Sequence, residues 1–213
     1  LLGIFGAILG YSGYNQMKKE DEYPEFYRRL KDIKISIVPL AKKGNFSKKI
    51  ISFNNSVGYA SREQGGNLII KEQWIENPSW DIYVLLDNEE SKKLADSILN
   101  RKCVYTPYLG KNDHPADISN IEIVKGTLLE KAEHINSFFT KGEAMVDIDD
   151  YEQISPFKYE ETLPVEIDEK MNMYVMKRFV LSNMIVTDCK CNVYKVLDSN
   201  CLCLSKNTKN SSS

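Results

Sequence analysis

The stretch Asn67-Leu-Ile-Ile-Lys-Glu-Gln-Trp-Ile-Glu-Asn-Pro-Ser-Trp-Asp-Ile-Tyr-Val-Leu-Leu86 decides the fold class. Two runs rich in Ile, Trp, Tyr and Val flank Glu76-Asn-Pro-Ser79, and β-formers on either side of a proline turn predict strands at 67–75 and 80–86 joined by that turn. Asn88 then stands where it can cap a helix, with Glu89 and Glu90 in the first turn and Leu94, Ile98 and Leu99 on the buried face. Upstream, Ile33, Ile35 and Ile37 alternate with Lys34 and Ser36, which predicts a half-buried strand over 33–40. The opening LLGIFGAILGY is apolar but short of the roughly 20 residues that span a bilayer. It also lacks the basic region and cleavage site of a signal peptide. It reads as a buried helix within residues 1–17, with Gly3, Gly6 and Gly10 near one face to allow close packing on a sheet. A second helical piece covers 24–31, with proline suited to its first turn.

With a further strand at 121–128, the order is helix, strand, strand, helix, strand. That is an α+β arrangement, a ferredoxin-like (RRM-like) β-α-β-β-α-β unit lacking its first strand. The pattern places the missing strand upstream of Leu1, and the start in mid-element without an initiator methionine points the same way. From about residue 135 the pattern changes to short strands at 163–167, 173–181, 184–187, 191–196 and 201–204, a smaller antiparallel β region. The expected organisation is a ferredoxin-like domain over 1–135 with a long basic insertion, a C-terminal β region over 136–205, and a disordered tail at 206–213.

The chain has 213 residues, 42% hydrophobic and 27% charged, with a net charge of −2. These values describe a globular protein with no global basic field, so nucleic-acid binding needs a local patch. Cations crowd into 18–71, among them Lys18, Lys19, Arg28, Arg29, Lys48, Lys49, Arg62 and Lys71, while 143–170 is rich in acid. A polyanion partner on one side, or two solvated surfaces of unlike sign, both fit this asymmetry. Five cysteines, an odd number, without a secretory signal predict a reducing cytoplasm.

The Cys189/Cys191 and Cys201/Cys203 pairs could hold zinc. Spacing of i, i+2 within a strand instead favours buried free thiols on two arms of a hairpin, so no metal or other cofactor is expected. His114 and His134 are the only histidines. His134 falls in a predicted polar helix and is read as inert. His114 could stack on a base, serve as acid or base in metal-independent RNA cleavage, or simply occupy a surface turn before proline. No nucleotide-binding fingerprint, zinc-protease motif or serine triad is present, and Asp149-Asp150 reads as surface charge.

Two segments carry the binding chemistry. Residues 42–66, with KKGNFSKK and FNNSVGYASREQGGN, interleave cations and amides with Phe46, Phe53 and Tyr59. Single-stranded RNA is held in this way, although such aromatics can also merely anchor a loop. Residues 108–118, YLGKNDHPADI, place Gly110 and Lys111 in a turn able to present backbone amides and a cation to phosphate.

LLGIFGAILGY, FNNSVGYASREQGGNLIIKEQWIENPSWDIYVLL (53–86), YTPYLGKNDHPADI (105–118) and NVYKV (192–196) together resemble the Cas-five family of CRISPR-associated proteins, of the RAMP superfamily. The subtype most resembled is I-B, and the likeness runs over nearly the whole chain. Members begin with a strand and a proline-containing loop that are absent here.

The resemblance implies the modified ferredoxin-like fold and a role in antiviral defence: gripping the 5′ handle of crRNA at one end of the Cascade backbone. Partners would be the backbone subunit and the large subunit, with target DNA nearby and no membrane. Base pairing by the guide would read the target. On this chain Lys48, Lys49 and Arg62 would meet phosphates, and Asn54, Asn55 and Tyr59 would meet sugars or bases. Tyr108, Gly110, Lys111, Asn112 and His114 would line the handle's path, and no residue is assigned a catalytic role. The alternative is the metal-independent endoribonuclease activity of subtype I-C relatives on precursor crRNA, with Tyr59, Lys111 and His114 cast as its residues.

Overall fold

The computed structural model describes residues 1–54, 62, 64, 68–147, 155–168, 171, 173–197 and 200–204. Within them the protein is α+β, with three α-helices and mostly antiparallel strands. Helix α1 (Leu2–Leu9) stops at Gly10, whose left-handed backbone (φ 78) returns the Gly10 and Tyr11 amides to Ala7 and Gly6. Such a cap satisfies the last carbonyls and ends the helix, well short of the expected limit at residue 17. Only a 3₁₀ turn, Tyr14–Gln16, follows. Gly6 does permit a close approach, but to α2 (Glu25–Leu30) rather than to a sheet: a Cβ there would lie 2.6 Å from that of Phe26. In α3 (Glu89–Leu99) the Asn88 side chain accepts the Ser91 amide at 2.9 Å. Leu94 is buried and Ile98 packs beside it, while Leu99 is 43% exposed. Residues four apart share a helix face and the fifth turns off it, which is why Leu99 departs from the expected stripe.

Phe5, Ile8, Leu30, Ile33 and Leu94 form one buried cluster, with Ile35 of β1 (Ile35–Pro39) and Val84 of β4 (Trp80–Val84) packed on it. Each such side chain contributes about 1.5–3 kcal/mol relative to exposure. A polar clasp joins the three helices at their rim. The Tyr11 hydroxyl donates to Glu90, and Arg29 bonds Glu90 at 2.8 Å and Glu25 at 3.3 Å. Burial, then Glu90, pushes the Tyr11 hydroxyl up to about 12. Burial alone would raise the Glu90 carboxyl, but Tyr11 and Arg29 outweigh it and hold it below the usual range.

The expected strands at 67–75 and 80–86 exist but do not pair with each other. β3 (Ile69–Ile75) pairs with β2 (Lys48–Asn54), and β4 pairs with β1. The polar 42–66 segment therefore contains a strand, preceded by a 3₁₀ turn at Lys42–Gly44. Of the strand expected at 121–128 only β5 (Gly126–Leu128) forms, and it pairs with β11 (Val193–Val196). Residues 121–124 instead line an open cleft together with β4.

The remaining strands are β6 (Phe139–Thr140), β7 (Ala144–Val146), β8 (Lys158–Ile167), β9 (Tyr174–Ser182), β10 (Val186–Cys189) and β12 (Asn200–Cys203). They form sheets β6–β9–β8, β10–β7 and β12–β11–β5 around Ile135, Phe139, Val180, Val186 and Val193. His134 lies outside any helix, correcting the expected polar helix. The two cores are stitched by the Phe138 amide donating to the Ile37 carbonyl at 3.0 Å and the Ile167 amide donating to the Tyr27 hydroxyl. The expected tail at 206–213 and Asp149-Asp150 lie outside the described residues, among which no helix is long and apolar enough to cross a membrane.

Gly6→Ala should destabilise the fold by about 1–3 kcal/mol through overpacking against Phe26. Gly3→Ala, with nothing within 4 Å of the new Cβ, should be neutral or stabilising by up to about 1 kcal/mol. Urea unfolding of the two variants checks this, and equal losses would contradict it.

Candidate nucleic-acid interface

Side chains of a strand point alternately to its two faces. In the β2–β3 ribbon, Lys48 lies opposite Ile75, Lys49 opposite Trp74, Ile51 opposite Glu72 and Phe53 opposite Ile70. One face therefore carries Lys49, Ile51, Phe53, Ile70, Glu72 and Trp74. The other carries Lys48, Ile50, Ser52, Asn54, Ile69, Lys71, Gln73 and Ile75. Lys48 and Lys49, expected to act together, stand on opposite faces.

The 108–118 bend covers the first face. The Lys111 ammonium reaches both Glu72 oxygens at 2.8 and 2.9 Å and sits 5.5 Å from the centre of the Phe53 ring. The His114 ring meets Trp74 edge-on at 4.6 Å, and the Trp74 indole donates to Glu72 at 2.8 Å. Inside the bend the Leu109 amide donates to the His114 carbonyl at 2.7 Å, and the His114 amide donates to that of Lys111. Gly110 has φ 83 with open space around it, so a backbone or phosphate can come close there. Lys111 first, then the Trp74 indole, holds the Glu72 carboxyl below the usual carboxylate range.

The two segments singled out in the sequence thus share one side, but that side is not the cationic groove the sequence predicts. Lys111 is paired with Glu72, and Lys49 lies 3.5 Å from Glu76. The uncompensated cations are on the open face, where Lys48 and Lys71 have no carboxylate within 4.0 Å among the described residues. Ile50 and Ile69 beside them are 71% and 69% exposed.

Tyr108 and Asn112 are exposed in the bend, Tyr108 bridging to Pro115. Asn54 ends β2, and Arg62 is exposed. Asn55 and Tyr59 lie outside the described residues. Phe46, one of the expected aromatic partners for RNA, packs instead edge-on against Trp80 at 5.2 Å. The open isoleucine–lysine face escaped the sequence reading. Its one available signal was Ile50-Ile-Ser-Phe53, a β-forming run inside the polar segment.

The cysteines gather at the far core. Cys189 ends β10 and Cys191 sits in the following turn, their sulfurs 3.4 Å apart. Burial first, then Cys191, pushes the Cys189 thiol up to about 11, and the hydrogen bond with Cys203, then burial, raises Cys191 further. Thiols held protonated are poor ligands and nucleophiles at neutral pH. Among the described residues no group of three or more His, Cys, Asp or Glu side chains is arranged to hold a metal ion.

Comparison of the chain with family models, with curated proteins and with solved structures finds no match.

Iodoacetamide at neutral pH should label Cys103, the exposed thiol, before Cys189, Cys191 and Cys203. Mass spectrometry of the digest checks the order, and Cys191 reacting first would contradict the protonated cluster.

Proposed function

We propose that this chain is an RNA-binding subunit that clasps the 5′ handle of crRNA and caps the backbone of a type I, subtype I-B, Cascade complex in the cytoplasm. In this reading β1 and β4 are the second and third strands of a ferredoxin-like sheet, α1 and α3 are its helices, and the β2–β3 ribbon is its RNA-holding insertion. The observation that carries the reading is the ribbon itself. One face is braced by the 108–118 bend, and the other offers Lys48 and Lys71, which have no carboxylate within 4.0 Å among the described residues. A braced ribbon presents cations without the entropy cost of ordering a loop on binding.

The RNA backbone runs over Lys48 and Lys71 and rounds the bend at Gly110, where Tyr108 and Asn112 meet sugars or bases. Glu72 competes with phosphate for Lys111. The neighbouring backbone subunit and the large subunit complete the path, with target DNA close by.

Repeat-derived RNA should bind more tightly than unrelated single strands and remain intact in EDTA. Glu72→Gln keeps an acceptor for Trp74 but releases Lys111. It should therefore strengthen binding and steepen the dependence of log K on log salt by about 0.7, one further phosphate contact on a single strand. Equal affinity for unrelated RNA overturns the reading. Specific cleavage in EDTA that is lost in His114→Ala would instead favour the metal-independent ribonuclease.

A further inference from the structure

Residues 143–170 are rich in acid, yet one face of the β8–β9 hairpin is cationic. The two-residue period of a strand separates neighbours onto opposite faces. Tyr159, Glu161 and Leu163 share one face, where the Tyr159 hydroxyl donates to Glu161 at 2.9 Å. Lys158, Glu160, Thr162 and Pro164 share the other, and the register puts Tyr174, Met176, Arg178 and Val180 of β9 on that same side. At its base this second face packs Val180 beside Phe139 in the C-terminal core. Beyond the core it is open, with Met176 49% and Tyr174 62% exposed.

Three cations meet there. The Lys141 ammonium donates to Glu160 Oε2 at 3.1 Å, and the Arg178 guanidinium lies 3.6 Å from the same oxygen. The Lys158 ammonium lies 3.2 Å from Oε1. The sheet itself assembles them. Lys141 follows β6, and its amide donates to the Arg178 carbonyl at 2.8 Å, so the β6, β9 and β8 segments each bring one cation to a row across the strands. An exposed carboxylate needs only one such partner, and the pair is worth little. Three cations on one carboxylate repel one another and leave two positive charges unbalanced. None of the three has another carboxylate within 4.0 Å among the described residues.

The geometry points to this face as a second surface for single-stranded nucleic acid, with Lys141, Lys158 and Arg178 on a phosphate and Tyr174 and Met176 under the adjoining base. Residues two apart on a strand stand about 6.5 Å from each other. Arg178, Met176 and Tyr174 therefore lead away from the cation row in even steps. A cation for the backbone followed by an exposed ring for a base is how an unpaired strand is held. A duplex keeps its bases stacked inside and would leave Tyr174 without a partner. An acidic peptide would satisfy the cations but offers no flat base to the ring. Glu160 occupies the place of the phosphate until a strand arrives, since a solvent-exposed pair is readily exchanged. No residue of this face belongs to the β2–β3 ribbon or the 108–118 bend. The inference therefore goes beyond the proposed handle contact and does not require it.

Fluorescein-labelled decauridylate, followed by anisotropy over a range of salt, tests the surface on the full chain. Lys141→Ala, Lys158→Ala and Arg178→Ala should each flatten the dependence of log K on log salt by about 0.7. Tyr174→Ala should weaken binding at least about fivefold at fixed salt and leave that slope unchanged, because it removes a stacked base and no charge. Glu160→Gln should tighten binding. In the Lys48→Ala/Lys71→Ala double variant, stripped of the ribbon's open cations, decauridylate should still shift the NMR amide signals of Lys141, Lys158 and Arg178. Shifts that vanish in that variant overturn this proposal and leave the ribbon reading standing. Shifts and affinity both unaltered there support this proposal and remove the ribbon reading. Unchanged slopes in the three alanine variants overturn it, as does an absence of binding at about 1 mM decauridylate. Decaglutamate competing as well as unlabelled decauridylate overturns it too, and would mark the face as a seat for acidic protein. Should one variant misfold, the other two cation variants still decide.

Discussion

The two-residue period of the β2–β3 ribbon governs the whole candidate interface. Because Lys48 and Lys49 are neighbours in sequence, they must leave the ribbon on opposite faces. Lys49 then shares its face with Phe53, Glu72 and Trp74, the surface on which the 108–118 bend rests. Once that face is occupied, the other is left with Lys48 and Lys71 among exposed isoleucines. Bracing and presentation are two consequences of one register, and a slip by one residue would exchange them.

The bend is held by an economical set of contacts. A single carboxylate, Glu72, accepts from both Lys111 and the Trp74 indole, and the His114 ring closes against the same indole. This arrangement orders a polar turn and neutralises the most prominent cation in it. The ion pair is solvent-exposed, so it is easily exchanged for another anion. Glu72 thus acts both as a brace and as a competitor for any phosphate that approaches Lys111.

Where local signals were strong, the sequence was legible. The Asn88 cap opens α3, the alternation at 33–40 becomes β1, and the short C-terminal strands appear close to their expected places. What it could not convey was pairing. The Glu76–Ser79 turn looked like a hairpin connection, yet it carries the chain from the ribbon to a strand whose partner lies some forty residues earlier. β2 was hidden because its lysines and asparagine outweigh Ile50, Ile51 and Phe53 in composition, while strand formation depends on facing neighbours. The run at 121–124 behaves in the converse way: it has β propensity but pairs with no strand among the described residues and lines the cleft beside β4 instead, with Ile123 exposed. At the site, residue type correctly singled out the two segments that meet, but not the carboxylates that tie down Lys49 and Lys111.

The most direct measurement is the salt dependence of RNA affinity for two single variants, Lys48→Ala and Lys49→Ala. The ribbon register predicts that Lys48→Ala flattens the log K against log salt slope by about 0.7, while Lys49→Ala, already tied to Glu76, leaves it unchanged. Equal flattening by both, or a change from Lys49→Ala alone, would contradict the division of the ribbon into one braced and one presenting face.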